Sequence, residues 1–213
     1  FLEKDPDNSD LYHPTIHARG PWNPKSIHGR VISGLIAYEV ETNHNSSTDL
    51  EEMQIARITV DLFRQPPMAP LMVKGEVIRA GGRIKVIDVS VTAIGENKEW
   101  NEIARGRVVM LRKSKNPPGD IWSPPGWDIQ APAENMPGPN EGTVSSSTKG
   151  FKPMWDTKHV DNGIIQSNSE PILQQQKLGV RRAWIRETHN LIYDKPLSQI
   201  VRVAQVADFA NPF

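Results

Sequence analysis

Val31-Ile32-Ser33-Gly34-Leu35-Ile36-Ala37-Tyr38-Glu39-Val40-Glu41-Thr42 is the stretch on which the fold turns. Its residues Val31, Ile32, Leu35, Ile36 and Val40 recur at helical spacing and so share one face of an α-helix. The pattern predicts a helix over residues 31–42, ended by the polar stretch Asn43 to Asp49. Downstream the period changes. Ile58, Val60 and Leu62 alternate with Arg57, Thr59 and Asp61, the two-residue repeat of a half-buried strand, and Pro66-Pro67 ends it. Leu71 to Arg79 predicts a second strand, and Gly81-Gly82 offers permissive backbone for a tight turn into a third. The third, Arg83 to Ile94, alternates in two phases: Ile84 and Val86, then Ile87, Val89, Val91 and Ala93. That slip predicts a bulge, or a strand covered on both faces for part of its length. Glu102 to Arg112 makes a fourth strand. A helix followed by an antiparallel meander is an α+β unit, whose sheet must wrap the helix to bury both apolar faces.

The chain has 213 residues, enough for one large domain or two small ones. Twenty-five Lys and Arg balance twenty-five Asp and Glu, so no net field favours nucleic acid or an acidic membrane surface as a partner. The absence of cysteine excludes disulfides, thiol nucleophiles and cysteine metal sites. No apolar run is long enough for a membrane span, and Phe1-Leu2-Glu3-Lys4-Asp5 does not read as a signal peptide, so a cytoplasmic protein is the simplest expectation. Without a secretory signal, Asn45-Ser46-Ser47 is a chance match to a glycosylation acceptor.

Ser114 to Gly150 holds seven of the eighteen prolines and little periodicity, as expected of a connector laid over the surface with Trp122 and Trp127 as anchors. After it, Gly179 to Glu187 has strand character around Val180, Trp184 and Ile185. Pro196 then stands where a first helical turn tolerates it, and Pro212 follows a helix expected over residues 196–210. Leu197, Ile200, Val201, Ala204 and Ala207 keep helical spacing, which puts Asp208 on the same apolar stripe. A carboxylate there is costly unless it is paired, protonated or part of a polar site. Strand-then-helix order thus recurs, but only three residues follow Ala210. An amphipathic helix of this length is not stable alone. The expectation is a fragment: an N-terminal unit over 1–113, a linker over 114–150, and over 151–213 the start of a second unit whose helix leaves its apolar face uncovered unless another chain covers it.

Several segments resemble a known family. Gly20-Pro21-Trp22-Asn23-Pro24 with His28-Gly29, then Val60-Asp61-Leu62-Phe63-Arg64-Gln65-Pro66, then Glu76-Val77-Ile78-Arg79-Ala80-Gly81-Gly82-Arg83 look like the first half of a double hot-dog acyl-CoA thioesterase. Ala183-Trp184-Ile185-Arg186 and Ala207-Asp208-Phe209 are similar to the second half of the bacterial type II, TesB-like enzymes. The resemblance implies a double hot-dog fold, two helix-wrapped antiparallel sheets with the second incomplete in this chain. It also implies hydrolysis of fatty acyl-CoA by a water held between an Asp, a Thr and a Gln. Asp208 matches the Asp. The resemblance places the Thr and Gln in the sheet after the second helix, beyond Phe213, so neither is assigned. A His carried by some members corresponds to Val60 here, so a mechanism that relies on it does not apply. The expected partners are acyl-CoA as substrate and further copies of the chain in a homo-oligomer; no nucleic acid, membrane span, metal or other cofactor is expected.

Thioester hydrolysis suits so small a site. The leaving CoA thiol ionises near a free cysteine, at about 8.5, so its departure needs little general acid. The enzyme must aim and deprotonate a water and stabilise the oxyanion. Asp208 is the candidate catalytic base or orienting acceptor; the structural alternative is a helix-end carboxylate bonded to backbone or arginine. His28 and Gly29 are candidate substrate-binding residues, because the first helix presents free amides and its positive end there, although a helix cap is the better reading of His28. His13 and His17 are four apart with Pro14 between them and no third ligand, so they read as loop histidines rather than a metal site. Arg79, Arg83, Arg105 and Arg107 read as a solvated sheet face, with the phosphates of CoA as the alternative. Gly81-Gly82-Arg83 is not a phosphate loop. Two other functions compete: a non-catalytic acyl-CoA-binding or scaffold protein of the same fold, and a hot-dog enoyl-CoA hydratase, which needs an Asp and a His close together on a helix.

Overall fold

The computed structural model describes residues 1–20, 23–44, 53–95, 97–115, 118–120, 122–123 and 189–208, and the backbone of 155–161, 164–166 and 182–187. The chain divides into two compact units, Phe1–Lys115 with Asn190–Pro212, and Asn116–His189. The first contains β1 (Leu2–Lys4), β2 (Leu11–Pro14), a single 3-10 turn (Ile16–Ala18), α1 (Gly29–Asn43), β3 (Met53–Leu62), β4 (Leu71–Ala80), β5 (Ile84–Ile94), β6 (Trp100–Arg112) and α2 (Gln199–Ala207). The second contains β7 (Trp155–Asp161), β8 (Ile164–Gln166) and β9 (Arg182–Glu187), an antiparallel sheet in the order β8-β7-β9. The strand expected around Trp184 and Ile185 is β9.

In the first unit six strands form one antiparallel sheet, β1-β2-β4-β5-β6-β3, and α1 packs against β3, β4, β5 and β6. This is the α+β arrangement, a helix wrapped by an antiparallel sheet, expected from the helix-then-meander order. Val31, Ile32, Leu35, Ile36 and Val40 are all fully buried, as are Val73, Ile87, Val89, Val91, Val108 and Met110 on the strands. Burying each such side chain contributes about 1.5–3 kcal/mol. At the far end of α1, buried Glu39 accepts hydrogen bonds from the Gly75 N–H (3.2 Å) and Asn43 Nδ2 (2.7 Å) and pairs with His44 Nε2 (3.2 Å), which ties the helix to β4.

The phase slip of the third strand has a different origin from the one expected. β5 is not itself bulged: the register shifts at Ile78 of β4 and Ile103 of β6, the strands on either side, and a third shift falls at Ala56 of β3. From Ile87 to Ala93 β5 alternates regularly between buried and half-buried residues. Nor do Gly81 and Gly82 adopt the left-handed backbone that makes glycine necessary; Gly119 is the one glycine among the described residues with positive φ. His13 is not a loop residue. It lies on β2, with Nε2 2.8 Å from Asp5 Oδ2, and this hydrogen bond holds the Asp5 carboxyl below the usual range.

The second helix is shorter than expected, and this corrects the placement of Asp208. Ser198 is the N-cap, its hydroxyl accepting from the Val201 N–H at 3.2 Å, so Pro196 precedes the helix rather than occupying its first turn. The helix ends at Ala207, and Asp208 is its C-cap with a half-buried side chain, not a member of a buried stripe. Val201 and Ala204 are buried, Ile200 is half-buried, and Ala207 and Val203 are exposed. The polar residue that does lie fully buried on α2 is Gln205.

Two backbone hydrogen bonds fix the lead into α2, from the Leu2 N–H to the Leu191 carbonyl (2.8 Å) and from the Tyr193 N–H to the Leu2 carbonyl (2.7 Å). Trp122 is 83% exposed, which contradicts its expected role as an anchor. Trp127, most of Ser114 to Gly150, Asn45 to Ser47, Val180 and Pro212 lie outside the described residues. Among the described residues no helix is long and apolar enough to cross a membrane, and no group of three or more His, Asp or Glu is disposed to hold a metal ion.

Candidate active site

α1 and α2 pack with the start of one beside the end of the other. Two glycines of α1 permit the approach. A Cβ on Gly34 would stand 2.7 Å from Gln205 Cγ, and a Cβ on Gly29 would stand 2.9 Å from Asp208 Oδ2. Contacts that short are not found between real side chains, so glycine at these two positions sets the distance between the helices.

The N-cap of α1 is His28, whose Nδ1 accepts a hydrogen bond from the Arg30 N–H at 3.2 Å. The same Nδ1 lies 3.3 Å from Asp208 Oδ2, so the cap of one helix meets the cap of the other. The electrostatics are asymmetric. Asp208 is a carboxylate at the negative end of its own helix, which disfavours it, and at the positive end of α1, which favours it. Of the residues singled out from sequence, Asp208, His28 and Gly29 are thereby brought together.

They form one wall of a cavity of about 430 Å³, a size usual for small-molecule sites. The facing wall comes from Leu62 to Pro66, the turn after β3. Leu62 and Phe63 present apolar surface, and Arg64 and Gln65 add a cation and an amide. The walls are laced together. The Ile27 N–H donates to the Pro66 carbonyl (2.8 Å) and the Met68 N–H to the Lys25 carbonyl (2.9 Å), while Gln65 Nε2 donates to Ser26 Oγ (3.2 Å) and Asn23 Nδ2 to Gln65 Oε1 (3.3 Å). A small apolar chamber with a carboxylate, an imidazole and a helix N-terminus on one side is equipped to hold a carbonyl group and to move a proton beside it.

Leu62, Phe63, Arg64, Gln65 and Ser26 were not singled out as site residues. The signal lay in the segment Val60 to Pro66, which carries the family resemblance but has no charge or spacing that marks it as a wall. The arginines considered for phosphate binding are elsewhere. Arg105 makes paired hydrogen bonds to Glu102 (2.8 and 2.9 Å), and Arg107 to Asp88 (2.6 and 2.6 Å), on the exposed side of β5 and β6. Each guanidinium is held more firmly protonated by its carboxylate, and Arg107 keeps the Asp88 carboxyl below the usual range.

Residues 18–111 match the family model of the acyl-CoA thioesterase N-terminal domain. The matched segment contains α1, β3 to β5, all but the last residue of β6, and every residue lining the cavity except Asp208. No curated protein matches the chain. Similar solved structures include a Bacillus halodurans protein determined with CoA, 14% identical, covering 53% of this chain and 71% of that one with a TM-score of 0.41. A hexameric hot-dog-fold thioesterase of Campylobacter jejuni is 15% identical, with coverages of 50% and 86% and a TM-score of 0.40. The PaaI protein of the E. coli phenylacetic acid degradation operon is 16% identical, with coverages of 49% and 70% and a TM-score of 0.36.

Proposed function

We propose that this protein hydrolyses acyl-CoA thioesters to free acid and CoA, with Asp208 as the group that orients and deprotonates the attacking water. The observation that carries the reading is the position of the Asp208 carboxylate, delivered by α2 to the N-terminus of α1 inside a cavity whose other walls belong to the thioesterase-matched segment. The acyl carbonyl lies at the helix N-terminus, where the amide dipoles favour developing negative charge. Leu62 and Phe63 supply apolar surface for the acyl chain. The thiolate leaves without a strong acid because its conjugate acid ionises at about 8.5. The same reading makes α2 the central helix of a second hot-dog over 151–213, joined by the 114–150 linker to the first over 1–113, in a TesB-like double hot-dog that works as an oligomer.

The test is Asp208→Asn, which keeps shape and removes basicity. Acyl-CoA hydrolysis is expected to fall by about two to four orders of magnitude, with circular dichroism and Tm unchanged. Unchanged turnover per folded molecule overturns the role of Asp208. A wild-type protein that binds acyl-CoA without hydrolysing it overturns the enzyme reading in favour of a non-catalytic acyl-CoA-binding protein.

A further inference from the structure

His28 Nδ1 is contested. It has one position for a proton or a lone pair, and two neighbours that ask for opposite things: the Arg30 N–H, 3.2 Å away, needs a lone pair there, and Asp208 Oδ2, 3.3 Å away, is satisfied by a proton there. With the ring neutral and its proton on Nε2, Nδ1 caps α1 and the carboxylate faces a lone pair. With Nδ1 protonated, the ring donates to Asp208 and the Arg30 amide loses its acceptor. At Nδ1 the two described neighbours therefore call for opposite occupants, a lone pair for one and a proton for the other.

We propose that His28 is the acid–base partner of Asp208, storing at Nδ1 the proton that the attacking water gives up. The inference rests on the thioesterase reading above. In the step, a water O–H bond breaks as the water oxygen bonds to the thioester carbonyl carbon. The proton passes by way of the Asp208 carboxylate to His28 Nδ1, leaving an imidazolium–carboxylate pair and a tetrahedral oxyanion. When the oxyanion collapses, the C–S bond breaks, and the departing thiolate takes the stored proton. Acyl thioester and water become carboxylic acid and thiol, with His28 and Asp208 restored. Among the described residues, the titratable and charged groups on the cavity wall are His28, Asp208 and Arg64, the last contributed by the turn after β3. Arg30, the neighbour of His28 along α1, is turned into the core with its guanidinium over the Phe1 ring.

His28→Asn is the informative variant, because asparagine is among the best N-caps and preserves the start of α1. If His28 only caps, His28→Asn retains normal kcat, and the proposal fails. If His28 stores the proton, kcat falls by about 10²- to 10⁴-fold with KM little changed. A second measurement needs neither turnover nor a His28 variant. In the wild-type chain, NMR of the His28 ring nitrogens and the Asp208 carboxyl carbon is expected to show both responding to pH in the same step, with the proton arriving at Nδ1, and Asp208→Asn is expected to alter the His28 response. Independent responses of the two groups, or protonation that leaves Nδ1 bare, overturn the pair even if the protein hydrolyses thioesters. A protein that hydrolyses no acyl-CoA but shows the coupled response overturns the thioesterase reading and leaves the shared proton standing.

Discussion

Gln205 of α2 crosses α1 at Gly34, with its Cγ 2.7 Å from where a Cβ on Gly34 would stand. Gly34→Ala therefore sets two effects against each other. Alanine gains about 1 kcal/mol of helix propensity, but the methyl group overpacks the contact at a cost of about 1–3 kcal/mol, and Leu191 Cδ1 at 3.3 Å closes one way out. We expect a net loss of about 1 kcal/mol in chemical denaturation. A gain in stability shows instead that Gln205 moves aside freely.

Gln205 itself gives a prediction of opposite sign. Its amide is fully buried, and neither Nε2 nor Oε1 has a hydrogen-bond partner among the described residues. A buried, unsatisfied amide costs about 1–3 kcal/mol, and Met has nearly the same shape without that cost. Gln205→Met is expected to raise unfolding free energy by about 1 kcal/mol, read from the denaturation midpoint at constant m-value. A loss of stability means that the amide is satisfied in solution.

Glu39 is the contrasting case, a buried polar group whose partners are all in place. Glu39→Ala would strip an acceptor from the Gly75 N–H and Asn43 and break the pair with His44. The loss expected is about 3 kcal/mol, measured by denaturation, without a change at the cavity, since Glu39 stands ten residues along α1 from Gly29. An effect under about 1 kcal/mol identifies the cluster as one that water replaces without penalty.

The difference between Gln205 and Asp208 also marks where sequence reading ran out. Periodicity located α1 and β3 to β6 because their alternation is long and regular, and burial follows it closely from Ile87 to Ala93. It placed Asp208 on a buried stripe by extending the helical repeat past Ala207, where the helix has already stopped. Gln205 was passed over because a polar residue breaks an apolar pattern, yet tertiary packing against Gly34 buries it completely. β1 and β2, of three and four residues, are too short to carry a period and owe their pairing to each other and to β4. The cavity shows the same limit: His28, Gly29 and Asp208 were marked by their chemistry, but the Leu62 to Pro66 wall follows from backbone bonds to residues 25 to 27 that no local pattern encodes.

The Asp88–Arg107 pair on the exposed face of the sheet predicts a pH dependence. The hydrogen bond from Arg107 depresses the Asp88 carboxyl in the folded state. A depressed carboxyl contributes stability that is present above the ordinary carboxylate value of about 3.9 and is lost as pH falls through the lower, folded value. Asp88→Asn is accordingly expected to lower Tm slightly at neutral pH and to converge with the wild type under strongly acidic conditions. Salt should shrink the neutral-pH difference, because exposed pairs are screened. A difference that persists unchanged in acid assigns the effect to packing rather than charge.

Gly29→Ala tests whether the carboxylate must stand where α1 and α2 place it. The new methyl group would lie 2.9 Å from Asp208 Oδ2 and 3.2 Å from Leu62 Cδ1, so the carboxylate has to retreat by a few tenths of an ångström while His28, Asp208 and Arg64 all keep their chemistry. Helix propensity at this position favours alanine, so the fold is expected to hold, with Tm within a few degrees of the wild type. Small displacements of a reacting group cost rate steeply, about 10²-fold for 1 Å, and a shift of this size is expected to lower kcat for acyl-CoA hydrolysis about tenfold with less effect on KM. The direction separates two roles for Asp208. If it orients and deprotonates water, moving it without altering its basicity lowers turnover. If it serves only to pair with His28 and hold the helix ends together, Gly29→Ala leaves turnover intact and acts on stability alone.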